Sequence, residues 1–155
     1  SVRLTPPEGI SPVAFIPDFE LRTAAARAAL PATVPHGDAS FNVARGALLA
    51  AVLSGNAQAS GGADLHSLLM EATRDRLHQE QRRAAMEPSL ALVDWLRGAG
   101  FAAVVSGAGP TVLSLESVGA DIRRDAAAAG WLVVPMGVAP QGVQITRGSL
   151  SKVEF

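Results

Sequence analysis

The chain has no cysteine and a single lysine, Lys152, against twelve arginines. Without thiols there is neither a disulfide framework nor thiol chemistry, a composition that suits a cytoplasmic protein. The shortage of lysine beside abundant alanine points to GC-rich coding rather than to a function. Charge of one sign is lacking too: 13 basic and 14 acidic residues leave a formal net charge of −1. No arginine or lysine cluster is interleaved with aromatic residues, so nucleic acid is not an expected partner. The longest uncharged run, Gly46 to Ala63, is broken by Ser54-Gly55-Asn56 and Ser60-Gly61-Gly62 after a short apolar start, which excludes a membrane-spanning helix there. The three histidines, His36, His66 and His78, stand alone at spacings that make no metal site. His36 with Asp38 is a loop pair of the kind that caps the next helix.

What remains is enough for one domain with a real core, since 48% of the 155 residues are hydrophobic. The start, Ser1-Val2-Arg3-Leu4, has neither an initiating methionine nor a signal-peptide core, and reads as part of a longer protein. Val2 to Leu4 is expected to finish a strand, and Val13 to Ile16 is a core strand closed by Pro17. Thr23 is the expected N-cap of a short helix that Pro31 stops. Phe41 to Leu53 is apolar on nearly every side, which predicts a helix buried on most sides that supports a domain interface. Leu65, Leu68, Leu69, Ala72 and Leu77 recur at helical spacing, with Arg74, Asp75 and Arg76 on the outer surface and Glu71–Asp75 as a solvated acidic pair. A helix follows with Ser89 as N-cap and Gly98 or Gly100 as its end. Strands at 102–106 and 111–115, a helix from Asp121 to Ala129, a strand at Trp131 to Val134 and a half-exposed strand at Val143 to Arg147 complete the order.

The two strands at 102–106 and 111–115 are joined by Ser106-Gly107-Ala108-Gly109-Pro110-Thr111. Glycine permits positive φ and lets bare backbone N–H groups face an anion, while proline stiffens the turn. The same spacing also serves an ordinary hairpin. It lacks the third glycine of a dinucleotide fold and the Gly-Lys-Ser/Thr ending of a P-loop. If phosphate approaches the backbone here, alanine at Gly109 is expected to obstruct it, more sharply than elsewhere because Pro110 restrains the chain.

Ser106 to Val112 resembles the C-terminal glycine motif of homoserine kinases, members of the GHMP small-molecule kinase superfamily. Thr23-Ala24-Ala25-Ala26-Arg27-Ala28-Ala29-Leu30-Pro31 is similar to that family's Thr-x-x-Ala-Arg-x-x-Leu-Pro segment, and Asp75 to Arg82 to its Asp-x-x-x-x-Pro-Tyr-Arg segment. Here the Pro-Tyr is replaced by Glu80-Gln81, which removes a backbone restraint on the aim of Arg82. The three segments come in the family's order, and the resemblance spans roughly residues 1 to 150.

The resemblance implies a substrate-binding role for Arg27 and Arg82, whose planar guanidinium forks suit the carboxylate of L-homoserine. It implies that the loop from Ser106 to Thr111 meets phosphate or nucleotide. ATP and Mg²⁺ would be bound mainly by an N-terminal domain absent from this chain, which would also carry the catalytic groups; no catalytic residue is expected here. By itself this chain is expected to be inactive. The resemblance also leaves room for a homodimer.

The order strand, helical insertion, helix, strand, loop, strand, helix, strand is that of an α+β ferredoxin-like split βαβ sandwich, with extra helices inserted between residues 18 and 88. Such folds also serve as small-ligand regulatory modules, and other GHMP kinases act on other hydroxylated metabolites. A regulatory module needs a closed pocket of its own; half of a kinase presents an open cleft.

Overall fold

The computed structural model describes residues 5–55, 57 and 64–139. Among them are four strands, β1 (Val13–Ile16), β2 (Ala103–Val105), β3 (Val112–Ser114) and β4 (Leu132–Pro135). The helices are α1 (Thr23–Ala28), α2 (His36–Leu53), α3 (Leu65–Ala72), α4 (Glu87–Gly98) and α5 (Ala120–Ala128), with a 3-10 segment at Glu80–Ala85. The expected strands at Val2 to Leu4 and Val143 to Arg147 lie outside the described residues.

The strands form one sheet in the order β2-β3-β1-β4, with every neighbouring pair antiparallel. That is the ferredoxin-like order, and α1, α2, α3 and the 3-10 segment fall within the expected insertion. Each strand is a short β-branched run whose alternate residues face the core. Register places Phe15 beside both Val112 and Val133, and Val105 beside Val112. Under that face lie Leu90, Val93 and Leu96 of α4 and Ala126 of α5. Phe15, Met86 and Leu96 are wholly buried, each contributing about 1.5–3 kcal/mol through burial.

Helix α4 begins at Glu87 with Pro88 in its first turn, where a missing N–H costs nothing, and with an acid facing the positive end of the helix. It stops where Gly100 adopts a φ of 90° and Phe101 N–H reaches back to the Leu96 carbonyl at 2.9 Å. Thus Ser89 is not the N-cap. Proline moves the helix start three residues upstream, to Glu87 with Met86 as N-cap, and places Ser89 inside the first turn, fully buried. Thr23 is likewise the first residue of α1 rather than its cap.

Two further expectations fail. Helix α2 has only Val52 buried and leaves Val43 73% exposed, so it is not enclosed on most sides by the described residues. Its inner face meets α3 through Val52 and Leu69. Helix α3 ends at Ala72, with the N–H and hydroxyl of the capping Thr73 both on the Leu69 carbonyl at 3.0 and 2.7 Å, and the chain turns away after it. Arg74, Asp75 and Arg76 therefore belong to the turn that follows and not to a helix surface.

Candidate functional site

The site is built around the β2–β3 hairpin. Its loop is closed by Ser106 N–H donating to the Thr111 carbonyl at 2.8 Å and Gly109 N–H donating to the Ser106 carbonyl at 2.9 Å. Gly107 and Gly109 take φ values of 59° and 84°, the left-handed region that favours glycine. The N–H groups of Gly107 and Ala108 donate to nothing among the described residues.

Arg82 sits behind this loop. It is 8% exposed; its Nε donates to the Ala26 carbonyl of α1 at 3.2 Å and its Nη1 to the Gly107 carbonyl at 3.1 Å. Of the five guanidinium N–H donors two are spent and three remain. The Glu80-Gln81 substitution does not leave Arg82 loose: the 3-10 segment forms, and the two carbonyls fix the guanidinium from its far end. Glu80 instead pairs with Arg83 at 2.8 Å.

The turn before the 3-10 segment is organised by Asp75. Its carboxylate accepts from the N–H groups of His78 and Gln79 at 2.8 and 2.7 Å, from the Asn42 side chain of α2 at 2.6 Å, and lies 3.0 Å from His78 Nδ1. Burial pushes this carboxyl up, but the donors, Gln79 N–H foremost, outweigh it and hold the pKa down at about 2. Asp75 is a fixed anion that shapes the turn, not part of a solvated acidic pair. Glu71, its expected companion, instead pairs with Arg45 and with Arg74. Arg45 and Arg76 stack on Phe41, 4.3 and 3.9 Å from the ring centroid.

The expected site residues divide among four surroundings. Arg82, Ser106 and Gly107 line one cavity of about 570 Å³, shared with Asn42, Arg45 and His78 and open to solvent. Pro110 and Thr111 line a second, of about 450 Å³, bounded by Pro17, Asp18 and Arg22. Ala108 and Gly109 turn inward, Ala108 against the core and Gly109 against Met86. This overturns the expected reason for Gly109: an added Cβ would lie 2.7 Å from Met86 Sδ and 3.0 Å from Val105 Cγ1, on the protein side of the loop. Arg27 lines neither cavity and stands exposed on α1, one residue beyond the carbonyl that Arg82 holds.

Two side chains to which the sequence reading gave no part in the site also reach the hairpin. Ser89 Oγ donates to the Pro110 carbonyl at 2.6 Å, and Gln79 Oε1 accepts from Val105 N–H at 2.8 Å.

The fold and this site define a ferredoxin-like α+β domain that carries a glycine hairpin beside an open, arginine-lined cavity. The family model described as GHMP kinases C terminal matches residues 48–129, and the chain belongs to that family. It is 42% identical over 146 residues to homoserine kinase of Streptomyces coelicolor, covering 94% of this chain and 44% of that protein. With homoserine kinase of Rhodococcus opacus the identity is 46% over 129 residues, covering 82% of this chain and 38% of that one. The crystal structure of homoserine kinase from Cytophaga hutchinsonii shares the fold with a TM-score of 0.67 at 21% identity, over 88% of this chain and 44% of that chain. The chain thus spans less than half the length of the relatives it matches.

Proposed function

We propose that this chain is the C-terminal half of a cytoplasmic homoserine kinase, which transfers the γ-phosphoryl group of ATP to the side-chain hydroxyl of L-homoserine in threonine biosynthesis. The observation that carries the reading is the reach of Arg82, which ties the helix bearing Arg27 to a loop with two free N–H groups. Phosphoryl transfer asks for positioning and charge stabilisation more than for covalent chemistry. The three remaining donors of Arg82, with Arg27, suit the substrate's α-carboxylate. The loop from Ser106 to Thr111 faces the transferring phosphate or braces the phosphate loop of the other half.

That other half is an N-terminal domain carrying the principal ATP loop, the catalytic groups and Mg²⁺. On this reading the chain alone is inactive and binds Mg-ATP weakly by calorimetry.

Arg27 gives the cleanest test, because its exposed side chain makes no hydrogen bond or ion pair among the described residues. In the complete protein, Arg27→Ala is expected to raise KM for homoserine by roughly tenfold or more, the loss of a charge-assisted contact, while KM for ATP hardly changes. An unchanged KM for homoserine would remove Arg27 from the site.

A further inference from the structure

Three side chains from the segment between α3 and the first turn of α4 hold the hairpin's main chain at three successive points. Gln79 takes the Val105 N–H, Arg82 the Gly107 carbonyl and Ser89 the Pro110 carbonyl. Val105 N–H projects from the outer side of β2, the edge strand of the sheet, where no strand receives it. Gln79 stands in for that strand, and is itself anchored by its N–H to Asp75. Ser89 is wholly buried among the apolar residues of α4, and a hydroxyl there needs its partner. With the carbonyls of Ser106, Gly107 and Pro110 all occupied on the protein side, the polar groups left to the loop's outer surface include the N–H groups of Gly107 and Ala108. A carbonyl swung outward would set a negative partial charge against an anion; the Arg82 and Ser89 ties prevent that, while the Gln79 tie fixes the strand end from which the loop departs.

We propose that Gln79 and Ser89 are positioning residues that orient the loop so that Gly107 and Ala108 present their N–H groups to a phosphate oxygen. The inference rests on the kinase reading only for the identity of the reaction. Its core is a statement about which way the loop faces, and that is measured without turnover.

The experiment uses the complete protein, inorganic phosphate as the probe, and the amide resonances of Gly107 and Ala108 as the readout. Both resonances are expected to shift with phosphate in the wild type and to lose at least about four-fifths of that shift in Ser89→Ala. Only folded molecules contribute these resonances, so a general loss of stability does not imitate the effect. The kcat for homoserine, corrected for folded fraction, falls about tenfold and KM for homoserine stays within twofold. Should Ser89→Ala not fold, Gln79→Met, at a partly exposed position, carries the same test. Wild-type shifts in a folded variant overturn the proposal, as do wild-type amides that ignore phosphate. A wild-type protein that leaves homoserine untouched while its phosphate shifts depend on Ser89 defeats the kinase reading and supports the positioning role. Homoserine turnover and amide shifts that are both undiminished in the variants do the reverse.

Discussion

Gly107 and Gly109 stand two residues apart in one loop, both at positive φ, yet they face different things. A Cβ on Gly107 would meet nothing within 4 Å, whereas one on Gly109 would meet Met86 and Val105 at 3.0 Å or less. The inner glycine lets the hairpin close onto α4; the outer one leaves its side of the loop bare beside the cavity that holds Arg82. One residue type in one motif thus answers two separate physical demands. What keeps the two ends distinct is the segment from Asp75 to Ser89, which holds the hairpin from behind.

Removing that support is the bluntest way to break the contrast. Arg82→Ala leaves the buried carbonyl of Ala26 and the partly buried carbonyl of Gly107 without this donor, and is expected to cost about 3 kcal/mol of stability. Urea denaturation of the complete protein measures it. A stability within about 0.5 kcal/mol of wild type would mean that Arg82 does not hold the loop, and both ends would then be free to move alike.

Acid tests the same support without a substitution. Asp75 titrates at about 2 in the folded protein against about 3.9 in an unfolded chain. As the pH falls, the unfolded chain therefore takes up the proton first. The stabilisation is full above about pH 5, worth about 2 to 3 kcal/mol, and fades as the pH drops through 4 towards 2. Asp75→Asn should lose stability at pH 7 and flatten this part of the pH dependence. A parallel curve for the variant would assign the acid sensitivity to other groups.

The strands and the two core helices were legible because each is a short run of good strand or helix formers stopped by glycine or proline: Val13 to Ile16 before Pro17, α4 before Gly100, the alanine-rich α5 before Gly130. The candidate site was legible at the level of segments, since its loop and Arg82 do come together, and not at the level of purpose. Ser89 stands before an apolar stretch and looks like a cap. Only Pro88, suited to the first turn, hints that the helix has already begun. Asp75 looks like a helix surface residue because four residues separate it from Glu71, yet the donor from Asn42 comes from thirty-three residues away. Gln79 and Val105 are separated by twenty-six. No local periodicity encodes such pairings; they arise when the inserted helices fold against the sheet edge. The apolar content of α2 likewise records what a helix can bury, not what the described residues cover.

The inner glycine comes next in size. Gly109→Ala imposes a left-handed φ on a residue with a Cβ and crowds Met86 and Val105; together these are expected to cost about 2 kcal/mol. The Met86 contact is with the end of a flexible side chain, so that side chain relieves part of the crowding by moving aside, while the backbone cost remains. If Gly109→Ala instead kept full stability and lost only turnover, the inner glycine would be facing ligand after all.

The outer glycine should give the smallest effect and the most specific one. At a φ of 59° with no atom within 4 Å of the new Cβ, Gly107→Ala carries a backbone cost of only about 1 kcal/mol and no overlap. The methyl group has nowhere to go but the open side of the loop, next to the N–H groups of Gly107 and Ala108. If phosphate comes into contact with that backbone, the methyl keeps it away even in a fully folded protein. The expected result is a loss of about tenfold in kcat for homoserine, about 1.4 kcal/mol of transition-state stabilisation, measured on samples whose circular dichroism matches wild type. An alanine at 107 that is folded and fully active would show that ligand does not use this face of the loop, and would make the two glycines alike in serving only the turn.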